Sequence, residues 1–158
     1  MEGQYSGVDI LEALTSAHNY NDYLTRLVRE STESKDLIDF GAGTGTFAKR
    51  LREEGYRVLC IEPDVSQRER LIKEGFEALQ DIDSLRDESL PFVFSLNVFE
   101  HIEDDQRALD QIHQKLVPGG GLLLYVPAFH TFGLHWMTRS AIAVATQKRL
   151  CACLFSRG

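Results

Sequence analysis

The sequence predicts an α/β fold with a doubly wound, mainly parallel sheet. Short apolar runs typical of strands alternate with segments of helical periodicity, the order that builds a parallel sheet from β-α-β units. The first run, residues 37–40, leads into a loop with glycine at every second position and then into a helical segment. A strand, a tight turn and a helix N-terminus in this order present backbone N–H groups and a positive dipole to a ligand.

Further strands and helices follow in regular alternation. The predicted strands are residues 37–40, 57–62, 76–79, 91–96 and 122–128, and the predicted helices are residues 8–30, 46–54, 66–74, 104–116 and 134–154. Gly55 and Gly75 end two of these helices, as expected for residues just past a helix C-terminus. The acids near residue 104 suit a helix start, because the N-terminal end of a helix dipole attracts negative charge.

Composition narrows the class of protein. The chain has 158 residues, 43% hydrophobic and 26% charged, which predicts one globular domain. Its net charge of −7 argues against a general nucleic-acid binder, which would carry a basic stripe. The sequence shows no apolar run long enough for a membrane span and no signal peptide, so we expect a cytoplasmic protein. The three cysteines form no disulfide or zinc pattern.

The charge distribution changes sharply near residue 110. Residues 1–110 contain 12 Lys or Arg and all 24 acids, a net charge of −12, whereas residues 111–158 contain five Lys or Arg and no acid. A composition break of this kind predicts that the last part of the chain differs in character from the domain before it.

The spacing of the glycines separates two nucleotide-binding patterns. A dinucleotide fingerprint, G-x-G-x-x-G, would require glycine at position 46, where this chain has Thr46. The observed order is Asp39, then glycine at 41, 43 and 45. This arrangement resembles the first motif of class I S-adenosylmethionine-dependent methyltransferases.

Three other segments resemble the same family. They are the Tyr-Asn segment at residues 17–23, the Asn-Val-Phe-Glu-His-Ile-Glu-Asp-Asp segment at 97–105, and the Leu-x-Pro-Gly-Gly-x-Leu-x-Leu-x-x-Pro pattern at 116–127. The family usually has aspartate where this chain has Pro91, which weakens one contact at the entry of the fourth strand. Because four segments occur in the right order, the chain is identified as a member of the family.

The resemblance implies a Rossmann-like core with strand order 3-2-1-4-5 and S-adenosylmethionine as cofactor. We expect one domain over residues 1–158, with a cofactor-binding core at 35–130 and an atypical, helical tail at 131–158. The helix at 8–30 either covers one end of the sheet or forms a lid over the cofactor. The implied cofactor-binding residues are Asp39, Gly41, Gly43, Gly45, Glu62, Pro63, Asp81, Ile82, Asn97 and Tyr20.

The resemblance also implies a role for several of these residues. The three glycines would surround the methionine portion, with Asp39 near its amino group and Tyr20 in the lid. Glu62 ends the second strand, where an acid can accept both ribose hydroxyls; the alternative is a helix-capping or solvated carboxylate. Asp81, favoured over Asp83, would accept from the adenine amino group beside Ile82, unless this segment is an ordinary polar turn.

The catalytic candidates follow the fourth strand. Asn97 would face the transferred methyl group, and His101 would take a proton from a hydroxyl acceptor. Alternatively, His101 only hydrogen-bonds the fold, and Glu100 orients it or caps the next helix. Cys151 and Cys153 lack further ligands, so no metal is expected.

The end of the chain departs from the family pattern. The resemblance implies two more strands after the fifth, yet residues 128–158 show no strand-like alternation. We therefore expect a truncated or frameshifted tail, a hypothesis that resequencing the gene would decide. Without those strands the fifth strand would be an exposed edge, open to association with a partner.

Three functions remain open from the sequence. The first is methyl transfer to a small molecule, and the second is a truncated, non-catalytic protein that only binds S-adenosylmethionine. The third, a nicotinamide-dependent oxidoreductase, is disfavoured by Thr46 and by the segments at 97–127.

Overall fold

The computed structural model describes residues 18–126 and the backbone of residues 141–146. Across these residues, strands and helices alternate along the chain as the sequence predicts. The strands are β1 (Asp36–Phe40), β2 (Arg57–Ile61), β3 (Glu77–Leu79), β4 (Leu90–Leu96), β5 (Leu116–Val126) and β6 (Ala141–Thr146). The helices are α1 (His18–Glu30), α2 (Thr46–Glu53), α3 (Val65–Lys73) and α4 (Asp105–Lys115), with a 3-10 turn at Phe99–His101.

The strands form one sheet in the order β3-β2-β1-β4-β5-β6. The first five strands in this order are parallel, which confirms the predicted arrangement 3-2-1-4-5. After β1 the chain moves outward through β2 and β3, and then returns to place β4 on the other side of β1. The carboxyl ends of β1 and β4 therefore flank a switch point, where open α/β sheets bind their ligands.

The sheet continues past β5, so the expectation that it lacks both final strands is corrected. β6 pairs antiparallel with β5, with Leu122 opposite Ala145 and Tyr125 opposite Ile142. The predicted helix at residues 134–154 is wrong over 141–146, and its remaining residues lie outside the described part. A short, continuous apolar run fits a strand as well as a helix, which explains the error.

This pairing also corrects the predicted site of association. The hydrogen-bonding edge of β5 that faces away from β4 is occupied by β6, and is therefore closed to a partner strand. The proposal of a frameshifted tail stays a prediction, because no DNA sequence bears on it.

The strand β5 begins at Leu116, before the start predicted at residue 122. Leu90 pairs with Leu116, and Phe92 pairs with Gly121, so β4 advances by two residues while β5 advances by five. The Pro-Gly-Gly sequence is thus a bulge within the strand, with Gly119 at a φ of 86°. Because a bulge does not reverse the strand, β5 continues through Pro-Gly-Gly. The sequence alone does not distinguish such a bulge from a turn.

The core has two layers, one on each face of the sheet. Neighbouring residues of β1 illustrate the division, since Leu37 packs toward α1–α3 and Ile38 packs toward α4. The buried helix residues on the first face are Leu24, Val28, Ala48, Leu51 and Leu71, and those on the second face are Ala108, Leu109 and Ile112. Helices on both faces confirm the doubly wound architecture.

Helix α1 is held against α2 across the first face. Asp22 forms an ion pair with Arg50, and Arg29 Nη1 lies 3.1 Å from Glu54 Oε2. The predicted lid helix is therefore present from His18 onward, and its predicted residues 8–17 lie outside the described part. These contacts fix the helix so that its first turn lies over the carboxyl edge of the sheet.

Candidate functional site

The glycine loop adopts a backbone that favours glycine at each of its three positions. Gly41, Gly43 and Gly45 have φ values of 85°, 54° and 76°, in the left-handed region. A Cβ atom on Gly41 would lie 2.5 Å from a methyl carbon of Val98, and one on Gly45 would lie 2.6 Å from Leu71 Cδ2. The loop is thus packed closely against the segment that follows β4.

Hydrogen bonds fasten this loop to the end of β2. The amides of Gly41 and Ala42 both donate to the Ile61 carbonyl, at 2.9 and 3.1 Å. The Gly43 amide donates to Glu62 Oε2 at 2.7 Å. The acid at the end of the second strand therefore positions the glycine loop as well as bordering the site.

Glu62 is buried and keeps capacity for a ligand. Glu62 is only 6% exposed, and its Oε1 accepts a hydrogen bond from the Asp64 amide at 2.9 Å. Helix α3 is capped by Asp64, whose Oδ1 accepts from Gln67, so Glu62 is neither a helix cap nor solvated. Each carboxylate oxygen has about two acceptor positions, which leaves one on each oxygen for a ribose hydroxyl.

Asp39 presents an unpaired polar atom next to Glu62. The residue is 3% exposed, and its Oδ2 has no hydrogen-bond partner among the residues that the structure describes. Burial, and then the negative charge of Glu62, raise the pKa of Asp39 to about 8. A buried carboxyl without a partner is costly and rare, so this atom indicates a ligand that supplies a donor.

A cavity of about 230 Å³ opens at the same edge of the sheet. It lies where β1, β2, β3 and β4 end, and four predicted cofactor residues line it, namely Gly41, Pro63, Asp81 and Ile82. Its other lining residues are Phe40, Ile61, Gln80, Val98, Ile102 and Gln111. The cavity thus joins the glycine loop to the predicted adenine-binding segment.

The two acids after β3 have different surroundings. Asp81 Oδ1 accepts from the Ser84 amide at 3.2 Å, which closes a turn, and Asp81 also lines the cavity. Asp83 Oδ2 accepts from Gln111 Nε2 at 2.7 Å and is thereby held toward α4. The polar turn and the cavity wall are therefore the same segment, and Asp81 is the acid of the two that borders the cavity.

Six of the lining residues were not predicted from the sequence: Phe40, Ile61, Gln80, Val98, Ile102 and Gln111. Phe40 and Ile61 end β1 and β2, whereas Gln80, Val98 and Ile102 lie in the loops that follow β3 and β4, directly beside predicted residues. Gln111 is on α4, one position before the buried Ile112. A polar residue adjoining the apolar face of a helix is the only sequence signal that could have indicated it.

Tyr20 and Asn97 meet at the carboxyl end of β4. The Tyr20 hydroxyl donates to Asn97 Oδ1 at 2.9 Å, and the Asn97 amide donates to the Tyr125 carbonyl at 3.0 Å. Asn97 has a φ of 59°, which turns the chain sharply out of the strand. Burial and the neighbouring Tyr125 raise the pKa of Tyr20 above its ordinary value.

The structure separates the environments of Glu100 and His101. The His101 side chain is 78% exposed, and its Nε2 lies 3.9 Å from Glu100 Oε1. Glu100 is the more shielded of the two, since its Oε2 is buried without a hydrogen-bond partner. Burial raises the pKa of Glu100, whereas the nearby His101 opposes this shift. A proton-accepting role for His101 stays a prediction.

A second, wider groove lies elsewhere on the molecule. It has a volume of about 410 Å³ and is lined by Asp87, Glu88, His113 and Gln114. These residues precede β4 or end α4, at the edge opposite the glycine loop. The smaller cavity is the better candidate because Gly41 of the glycine loop and three further predicted cofactor residues line it.

Two absences hold for the described residues. Over 18–126 and 141–146, no three His, Cys, Asp or Glu side chains are grouped so that they could hold a metal ion. None of the helices in the same residues is long and apolar enough to cross a membrane. Cys151 and Cys153 lie outside this part of the chain.

Comparison with known proteins decides the family. A family model described as a methyltransferase domain matches residues 13–157. The chain belongs to this methyltransferase family. The match includes the glycine loop and all the loops that line the cavity, and so confirms the resemblance found in the sequence.

Individual relatives and solved structures are similar to this chain. An uncharacterized methyltransferase of Oceanobacillus iheyensis is 29% identical over 120 residues, which cover 72% of this chain and 55% of the relative. A SAM-dependent methyltransferase from Archaeoglobus fulgidus aligns with a TM-score of 0.64 at 18% identity, over 77% of this chain and 59% of that one. The [4+2]-cyclase SpnF aligns with a TM-score of 0.59 at 25% identity, over 66% of this chain and 44% of the cyclase. The methyltransferase chain thus spans about half the length of these relatives.

Substitution of Gly41 tests the packing of the glycine loop. We expect Gly41→Ala to lower the free energy of unfolding by about 3 kcal/mol, because it adds both left-handed strain and a clash with Val98. Gly55→Ala is the matched control, since Gly55 has a φ of 86° but nothing within 4 Å of an added Cβ. The control should lose only about 1 kcal/mol in urea unfolding. Equal losses would contradict the packing.

Asp39 should make the stability of the methyltransferase depend on pH. Its pKa rises from 3.8 to about 8 on folding, so the folded chain holds a proton that the unfolded chain releases. The contribution to stability is full below the unfolded pKa and is lost as pH rises toward the folded pKa. Between pH 5 and 8.5, wild type should therefore lose at least about 1 kcal/mol more than Asp39→Asn in urea unfolding.

A second aspartate on β1 provides the control. Arg57 lowers the pKa of Asp36, so Asp36 titrates below this interval. Asp36→Asn should keep the pH slope of the wild-type protein between pH 5 and 8.5. Parallel slopes for wild type and Asp39→Asn would show that Asp39 is charged in the folded chain, contrary to our account.

Proposed function

We propose that this methyltransferase binds S-adenosylmethionine in the cavity beside Glu62 and transfers its methyl group to a small-molecule acceptor. The observation that carries the proposal is the unpaired, buried Oδ2 of Asp39 next to the glycine loop. The cofactor's ammonium group is a donor of the kind this atom lacks, and its positive charge offsets two neighbouring carboxylates.

The other residues fit the remaining parts of the cofactor. Glu62 keeps one acceptor position on each oxygen for the ribose hydroxyls. The adenine ring fits the cavity wall at Pro63, Asp81 and Ile82, where apolar and acceptor groups lie together. Gly41 lines the cavity, so its backbone would border the methionine portion of the cofactor.

The main contribution of the protein to this reaction is to orient the acceptor relative to the methyl group. The bound cofactor supplies a methyl group on a sulfonium, whose positive charge activates the leaving group. The protein must hold the acceptor in line with the methyl group, at about 3–3.5 Å. Asn97, fixed by Tyr20 and by the backbone of Tyr125, adjoins the end of the crevice where we place this group.

A second function is favoured by a separate observation. Under this alternative the chain binds the cofactor without transferring the methyl group. The cyclase SpnF, described as a [4+2]-cyclase, also shares the fold, so the fold alone does not imply methyl transfer.

Calorimetric titration with S-adenosylhomocysteine and with NAD separates the candidates. We expect binding of S-adenosylhomocysteine alone. Binding of NAD alone would overturn the proposal in favour of an oxidoreductase, and binding of neither ligand would overturn the cofactor site. Methylation assays on the binding-competent protein then distinguish an enzyme from a protein that only binds.

Glu62→Gln tests the role of the carboxylate in the same titration. In Glu62→Gln, an amide nitrogen that cannot accept hydrogen bonds replaces one carboxylate oxygen. Either the Gly43 or the Asp64 amide then loses its acceptor, and one ribose hydroxyl loses its acceptor as well. We expect affinity for S-adenosylhomocysteine to fall about 10- to 100-fold. The control is Glu69→Gln on the exposed side of α3, which should bind as wild type does. Undiminished binding by Glu62→Gln would exclude Glu62 as the ribose ligand.

A further inference from the structure

We propose that the methyl acceptor is an amine that enters as an ammonium ion beside Glu100, and that Glu100 removes its proton before methyl transfer. This inference rests on the proposed function, because it names the substrate class and the proton acceptor of the same site. It places the proton-accepting role on Glu100 in preference to the sequence-predicted His101.

The first support is the state of the Glu100 side chain. Its Oε2 is buried and has no hydrogen-bond partner, although the side chain as a whole keeps 20% exposure. A shielded oxygen without a donor is stabilised by a ligand that brings one, and an ammonium group brings up to three. The imidazole of His101 is 78% exposed and faces no such requirement.

The second support is the position of Glu100 relative to the expected methyl group. Glu100 lies three residues after Asn97, in the turn that begins when Asn97 leaves β4. Its negative charge reaches the Tyr20 hydroxyl, which donates to Asn97 Oδ1. Glu100, Asn97 and Tyr20 therefore lie close together at the carboxyl end of β4, and Tyr20 and His101 are the titratable groups whose charges couple to Glu100.

The third support is the sign of the charge around this crevice. The segments that end at or follow the carboxyl ends of β1–β4, residues 39–45, 62–64, 80–84 and 97–105, contain no Lys or Arg. Their acids are Asp39, Glu62, Asp64, Asp81, Asp83, Glu100, Glu103, Asp104 and Asp105. Arg68 approaches from α3, but its guanidinium donates to the carbonyls of Glu62 and Pro63 at 2.8 and 3.0 Å.

The negative charge of these loops favours methyl acceptors of one charge over another. Acceptors that carry phosphate or carboxylate groups are repelled by the acidic loops, whereas a protonated amine is attracted to them. An amine arrives with its nitrogen protonated, so it also needs a base before it can act as a nucleophile. Burial raises the pKa of Glu100, which brings the carboxylate closer to that task.

The proposed step balances in protons and electrons. The ammonium ion gives one proton to Glu100 Oε2, which frees the lone pair on nitrogen. That lone pair attacks the methyl carbon; the new N–C bond forms as the C–S bond breaks, and the electron pair of that bond stays on sulfur. The products are a methylated ammonium ion and the neutral thioether, and Glu100 then releases its proton to water.

Labelled S-adenosylmethionine tests the acceptor class. The full chain is incubated with methyl-labelled cofactor and with sets of primary amines, alcohols and carboxylates built on the same carbon skeletons. We expect label to enter amines at least 100-fold faster than the matched alcohols and carboxylates. Transfer to alcohols or carboxylates instead, or no transfer to any amine by protein that binds S-adenosylhomocysteine, would overturn the inference.

Substitution of Glu100 tests the proton acceptor. Glu100→Gln should lower kcat/KM for the best amine by at least about 100-fold, while its affinity for S-adenosylhomocysteine stays within about twofold of wild type. Glu100→Asp, which keeps a carboxyl group, should retain more activity than Glu100→Gln, and Glu69→Gln should match wild type. Undiminished turnover by a folded Glu100→Gln would contradict the role, whereas loss of S-adenosylhomocysteine binding by wild type would refute the proposed function itself.

Discussion

Two buried carboxylates at the ends of neighbouring strands determine the character of this site. Glu62 is satisfied by the amides of Gly43 and Asp64, and it thereby holds the glycine loop in place. Asp39 lies beside it with a buried oxygen that the protein leaves unpaired. Burial and the adjacent charge of Glu62 raise the pKa of Asp39 to about 8, so Asp39 holds a proton at neutral pH. Under the proposed function, a cationic ligand would complement this pair.

The strand order explains why these groups meet. The chain leaves β1 in one direction and returns through β4 on the other side, so the loops after both strands border one crevice. The Ser95 hydroxyl donates to the Phe40 carbonyl at 2.9 Å and joins the ends of β1 and β4. Val98, just beyond, packs so closely on Gly41 that only glycine fits there. The same turn carries Asn97 and Glu100 to the far end of the crevice.

The sequence predicted the parts of this arrangement that local patterns encode. The succession of strands and helices indicated a parallel α/β fold, and the glycine spacing together with three further segments indicated the family. The order 3-2-1-4-5 followed from that resemblance, and the structure and the comparisons confirm the order and the family. The predictions that were wrong concern segments whose structure depends on pairing with distant parts of the chain. β6 is a short apolar run whose strand character comes from pairing with β5, and the bulge at Gly119 is defined only by its register against β4. The sequence also does not show which side chains are buried. It could therefore not indicate that Glu100 is shielded whereas His101 is exposed.

The most direct test of this account is the proton balance of cofactor binding. Calorimetric titration of S-adenosylhomocysteine at pH 7 is repeated in buffers with different ionisation enthalpies. The ammonium group of the ligand should convert Asp39 from its protonated to its charged form, so binding should release close to one proton for each ligand bound. The Asp39→Asn variant should bind without this release. Binding by wild type with no dependence on buffer would contradict the account, because it would mean that Asp39 is already charged or does not meet the ligand.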